Sequence, residues 1–237
     1  MQDEITKHTK KIYDTIISPS HIFGEKVKEV IIEIFIIVFA ITLSIWLHGW
    51  SEHRHQQAEV MEFLEGLEGD IESDIEHYER DSVSFINARK KLVFNNNLTQ
   101  VRLDSLEKSK SGFKLDYTLP QIWCNFNDGR YEGFKSSGKI ELIENKELKA
   151  NILGYYQQSI PEIHRAEEEL KNSRNQVMSI ILTQRENESV GHLMISRKMK
   201  TVYGLSIEHL DWIIRNHHFA LKRAKVINAE IEKMIKK

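Results

Sequence analysis

Eighteen consecutive residues, 30–47, read VIIEIFIIVFAITLSIWL and carry one ionisable side chain, Glu33. At about 1.5 Å per residue such a helix is about 27 Å long, close to the hydrocarbon thickness of a bilayer. The core helix of a soluble protein carries a polar stripe every three or four residues, and this stretch has none. Its hydroxyls, Thr42 and Ser44, have their own helix carbonyls within reach, so they are tolerated in lipid. Trp46 and Trp50 fall at the C-terminal end, where indoles favour the membrane–water interface. The segment is therefore expected to be a transmembrane helix over 30–47.

Orientation follows from the flanking cations. The twenty residues before the span hold Lys10, Lys11, Lys26 and Lys28, and the twenty after it hold only Arg54. The positive-inside rule predicts residues 1–29 as a short cytoplasmic tail and residues 48–237 as an extracytoplasmic domain. In a Gram-negative cell that means an inner-membrane anchor and a periplasmic domain. Small residues at Gly49 and Ser51 suit a signal-peptide cleavage site, but the leader and the apolar run are both longer than such peptides use. Within the span, Glu33 lies one turn from the cytoplasmic boundary, so it either reaches the headgroups beside a lysine or makes a polar contact with another helix.

The rest of the chain reads as helix. Only 3 prolines and 11 glycines interrupt 237 residues, and no stretch of alternating residues suggests a strand. Past the span the helical pattern continues without a linker, with a seam at Val60, Leu64, Leu67, Ile71, Ile75, Tyr78 and Phe85. Residues 59–81 hold ten carboxylates among this seam, read as a solvated face, and Asn95-Asn96-Asn97 predicts the end of the helix. A short helix over 98–108 and a polar loop over 109–117 follow. Pro120 is expected to open a helix that carries Ile122, Trp123, Phe126, Tyr131 and Phe134 into the core. Ser136, Ser137 and Gly138 form a turn, and Asn145 caps a second long helix that Pro161 kinks or splits. A helix near 193–203 and a last one from Ser206 complete the pattern. The fold class expected is all-α, with one N-terminal transmembrane helix continuing into an antiparallel helical bundle.

Chemistry is sparsely signalled. Glycine-rich phosphate loops, HExxH, GxSxG and CxxC are missing from the sequence. A net charge of −2 gives no reason to expect nucleic acid. The single cysteine, Cys124, rules out an intrachain disulfide and reads as buried and inert. His48, Glu52 and His55 share one helix face just outside the span and are the best available metal set, yet such residues are comfortable at an interface without metal. Adjacent His217 and His218 point about 100° apart, one to the core and one to the surface. No metal or cofactor is expected.

Two blocks carry a resemblance. The stretch 33–52, EIFIIVFAITLSIWLHGWSE, places Glu33, Trp50 and Glu52 in a Glu-led span that closes on a W-x-E motif. The stretch 131–156 carries Ser136, Ser137, Gly138, Leu142, Ile143, Asn145, Glu147 and Leu148, then Tyr155 and Tyr156. Together they resemble a domain-of-unknown-function family of short single-span envelope proteins of Gram-negative bacteria. The chain departs from that pattern at His48-Gly49 and Ser51 and lacks a mid-span glycine. The resemblance implies an envelope protein with a helical periplasmic domain and implies no activity.

The expected function is a non-enzymatic, membrane-anchored interaction or scaffold protein. It would act through self-association by the span and the 60–85 seam, or through another membrane protein, with the lipid bilayer as its other partner. The alternative is a periplasmic ligand-sensing subunit that signals through a separate partner.

Overall fold

The computed structural model describes residues 2–17, 23–108, 116, 118–122, 124–184 and 189–236. Its described residues are all-α, without strands. They divide into two compact units, Met1–Glu59 and Val60–Lys237.

The first unit holds α1 (Gln2–Ile17) and the start of α2 (Phe23–Asn96). The residues read as a tail thus include a helix of their own. One helix here is long and apolar enough to cross a membrane. Its most apolar stretch has a mean hydropathy of 2.7 and buries nothing. Thr42 and Ser44 donate to the carbonyls of Val38 and Ala40, as their place in an apolar helix requires. Asn96 is the last residue of α2, at the polar cluster expected to end it.

The second unit is built around the later part of α2. Val60, Leu64, Leu67, Ile71, Tyr78, Phe85 and Leu92 are buried there, with Ile75 partly buried against the same core. A stripe at this spacing on a 3.6-residue helix faces one way, so it buries as a unit. It shares one core with residues of α5 (Lys146–Gly154), α6 (Ile160–Leu182) and α8 (Arg197–Ile235), and His217 of α8 stands against its Tyr78 and Phe85. The seam is therefore consumed by the chain's own core, which corrects the expectation that it is a surface for a second copy.

Other boundaries also differ. The short helix α3 is Gln100–Lys108, with the Thr99 hydroxyl accepting from Arg102 N at 3.4 Å. Most of the expected 109–117 loop and Trp123 lie outside the described residues. Pro120 opens no helix. The described residues over 118–128 are irregular, and α4 begins only at Gly129 and ends at Ser136. Two N–H groups that a helix would have used internally go to carboxylates instead: Cys124 N to Glu167 at 2.8 Å and Asn127 N to Asp74 at 3.3 Å. Buried Tyr131 and partly buried Ile122, Phe126 and Phe134 still reach the core.

Gly138 sits at φ 75 between α4 and a single 3-10 turn, Lys139–Leu142. That left-handed value suits glycine, which has no Cβ to clash. Asn145 caps α5 as expected, its side chain accepting from Glu147 N and Leu148 N at 3.1 Å each. The long helix is then split by a π-turn, Tyr155–Ser159, and Pro161 stands in the first turn of α6. Pro161 has no N–H to offer the preceding turn, and the wider turn absorbs that loss. The Arg223 guanidinium lies where a Cβ on Gly154 would be, 2.8 Å from that position, and donates to Ser159 Oγ at 3.0 Å.

Near the C-terminus, α7 is only Val190–Ile195, capped by Ser189. The last helix starts at Arg197 rather than Ser206, because the Ser196 side chain caps it by accepting from Met199 N. Ser206 lies inside that helix and bonds back to Val202 O at 2.7 Å. The buried seam of α8 includes Tyr203, Ser206, Leu210, Ile213, His217, Ala220, Ala224, Ile227 and Ile231, with Ile207, Ile214 and Leu221 partly buried beside it.

Candidate functional site

Two places concentrate chemistry, one in each unit. In the first, Lys11 Nζ of α1 lies 3.2 Å from Glu33 Oε1, and the Glu33 side chain is mostly covered. A cation beside Glu33 thus comes from α1, and it is a lysine as expected. At the other end Trp46 and Trp50 are exposed, and Arg54 stacks over the Trp50 ring at 5.0 Å. Glu52 accepts from Gln56 at 3.1 Å, and His55 lies 3.7 Å from Glu59. Glu52 and His55 of the helical face shared with His48 thus each engage a neighbour one turn on. Among the described residues no group of three His, Cys, Asp or Glu converges as a metal site.

In the second, a polar network runs through the core. Asp74, one of the ten acids read as solvated, is fully buried. The Tyr155 hydroxyl donates to Asp74 Oδ2 at 2.8 Å and lies 3.2 Å from the Tyr78 hydroxyl. Loss of water pushes Asp74 above the usual carboxylate range, and the bonds from Tyr155 and the Asn127 amide pull it only part of the way back. Burial raises both tyrosines as well. The π-turn gives Tyr155 and Tyr156 their positions. Tyr156 stacks on Tyr131 at 4.2 Å and donates to Asn127 O at 3.1 Å. The paired tyrosines thus tie the 118–128 segment to α2.

The network continues to a pair that the sequence keeps 93 residues apart. Cys124 Sγ lies 3.0 Å from His217 Nε2, and both are buried. The His217 ring stands edge-on to Tyr78 and Phe85, at 4.9 and 4.6 Å. A cysteine beside a histidine has the composition of an activated nucleophile. The electrostatics run the other way. Burial and Glu167 push the Cys124 thiol up, and burial drops His217 to about 4. Both groups are therefore neutral near pH 7, the opposite of a thiolate–imidazolium pair. Among the described residues His217 Nδ1 has no hydrogen-bond partner, so no third group there orients the ring as in a triad. Sequence reading missed this pairing because nothing local to Cys124 signals it. The split between a buried His217 and an exposed His218 is found as expected.

The turn and cap residues Ser136, Ser137, Gly138 and Asn145 lie at the surface and act on the backbone: Ser137 Oγ donates to Phe134 O at 2.8 Å. Compared with known proteins, the chain matches no protein-family model, no curated protein and no solved structure.

Proposed function

We propose that this chain is a single-span protein of the bacterial inner membrane that works as a scaffold, through self-association of its span or through another membrane protein. In this reading residues 1–29 are cytoplasmic, residues 30–47 cross the bilayer, and residues 48–237 form a periplasmic antiparallel bundle. The blocks at 33–52 and 131–156 make it akin to the single-span envelope family they resemble.

One observation carries the proposal. The apolar part of α2 buries nothing, while the seam at 60–92 is fully occupied by the chain itself. The large unpartnered apolar surface is therefore the span, where lipid and other transmembrane helices are the available neighbours. Contact order supports the antiparallel bundle. Glu79 pairs with Lys225 and Arg89 with Asp211, so α2 ascends as α8 descends. Ser159 meets Arg223 and Ser173 meets His209, which gives α6 the same sense against α8. The neutral Cys124–His217 pair favours a structural role over a catalytic one.

The test is photo-crosslinking in native membranes from benzoylphenylalanine placed at Phe39, Ile45, Val83 or Phe219. The scaffold reading expects adducts from the two span positions that are lost or weakened in Glu33→Leu. Adducts only from Val83 and Phe219 would refute it. Ligand sensing remains the second reading, favoured by a cavity beside the polar network.

A further inference from the structure

A cavity of about 300 Å³ lies between residues 120–122 and 124–125 on one side and α6 on the other, within the second unit. Its apolar wall is Pro120, Ile122 and Leu170. Its acids are already committed. Glu167 accepts from Cys124 N at 2.8 Å and faces His164 Nδ1 at 3.1 Å, and Glu168 is held by Lys171 at 3.0 Å. Arg174 is different. It lines the same cavity one turn beyond Leu170, is half-buried, and has no hydrogen bond or ion pair among the described residues. The Gln121 and Asn125 amides at the rim are likewise uncommitted among the described residues.

A guanidinium is charged at every physiological pH and presents a planar fork that matches a carboxylate in two parallel hydrogen bonds. Half-buried without a partner, it has lost part of its hydration and gained nothing in return. An anion with an apolar body would satisfy both walls at once, its charge on Arg174 and its body against Leu170, Ile122 and Pro120. The volume is at the lower end for ligand pockets, which selects a small molecule over a polymer. We propose that this cavity binds a small carboxylate with a short apolar chain, held by Arg174 and the rim amides. The site lies outside the membrane segment and stands independently of the scaffold reading.

The test is isothermal titration of sodium butyrate into the full chain in detergent micelles, with butyramide as the uncharged isostere. Butyrate is expected to bind saturably, with a Kd on the order of 1 mM, as suits so small a ligand. Butyramide is expected to show no saturation. Arg174→Gln should weaken butyrate at least about tenfold, and Arg174→Lys should retain more of the binding than Gln does. Arg174 makes no hydrogen bond or ion pair among the described residues, so both variants should keep the circular dichroism of the parent. A butyrate isotherm without saturation, equal binding of butyramide, or unchanged affinity in Arg174→Gln would each overturn the proposal.

Discussion

Residues 30–47 and 60–92 belong to one unbroken helix, yet the first stretch buries nothing and the second buries a residue at nearly every turn. The contrast is one of pattern more than of apolar content. Around 60–92 the apolar residues form a stripe with acids between them, so one face suits a protein core and the other suits water. Around 30–47 they cover the whole circumference, so no face suits water. A helix of that kind is completed by lipid or by other helices in lipid. The lesson is that helical propensity set α2 as one element, while the arrangement of polar residues around its axis set which solvent each part requires.

The sharpest way to break this contrast is to truncate one residue in each stretch and follow unfolding of the full chain in detergent. Leu67→Ala should cost about 2–5 kcal/mol, because Leu67 is fully buried and leaves a cavity. Ile36→Ala should leave the same transition within about 0.5 kcal/mol. Equal losses would mean that the span is part of a protein core.

Acid should single out the second stretch next. The imidazole of His217 falls from 6.5 to about 4 on burial, so the folded state gives up a proton that the unfolded state holds. The stability this provides is full above pH 6.5 and is lost as pH falls through 4, about 3 kcal/mol in total. Denaturant titrations between those limits should show the decline, and His217→Gln should flatten this part of it. A wild-type profile with the same slope as the variant would contradict burial of a neutral ring.

Smaller effects sharpen how the 129–182 region is held against the seam. Gly138→Ala should destabilise by about 1–2 kcal/mol, since alanine is strained at a left-handed φ. Asn145→Ala should cost about 1 kcal/mol by uncapping α5. The smallest change is expected for Arg89→Ala, which removes a surface pair with Asp211, at under about 1 kcal/mol and less in high salt. Thermal unfolding ranks all three. An Arg89 loss above the Gly138 loss would show that the α2–α8 pairing carries more of the fold than the buried seam does.

Much of this was legible in the residues. The long apolar helix, the buried seam, the Asn95–Asn97 stop, the Ser136–Gly138 turn and the Asn145 cap are local signals, set by periodicity or by one side chain and the amides beside it. What was illegible is long-range. The 118–128 segment carries an apolar pattern that a helix would also show, and only Asp74 and Glu167, far off in sequence, take its amides out of a helix. Likewise the acids of 59–81 look equivalent in sequence, and Tyr155 at a π-turn is what lets Asp74 alone be buried. The Cys124–His217 pair and the Arg174 cavity join residues that no spacing rule connects. The helix at 2–17 was passed over because charged residues interrupt it.

The central claim is that residues 30–47 are solvated by lipid. Alkaline carbonate extraction of membranes carrying the full chain tests it most directly. The account predicts that the protein stays in the membrane pellet, and that replacing Phe35, Phe39 and Leu43 together by Asp releases it. Full-length wild-type protein in the carbonate supernatant would contradict the account.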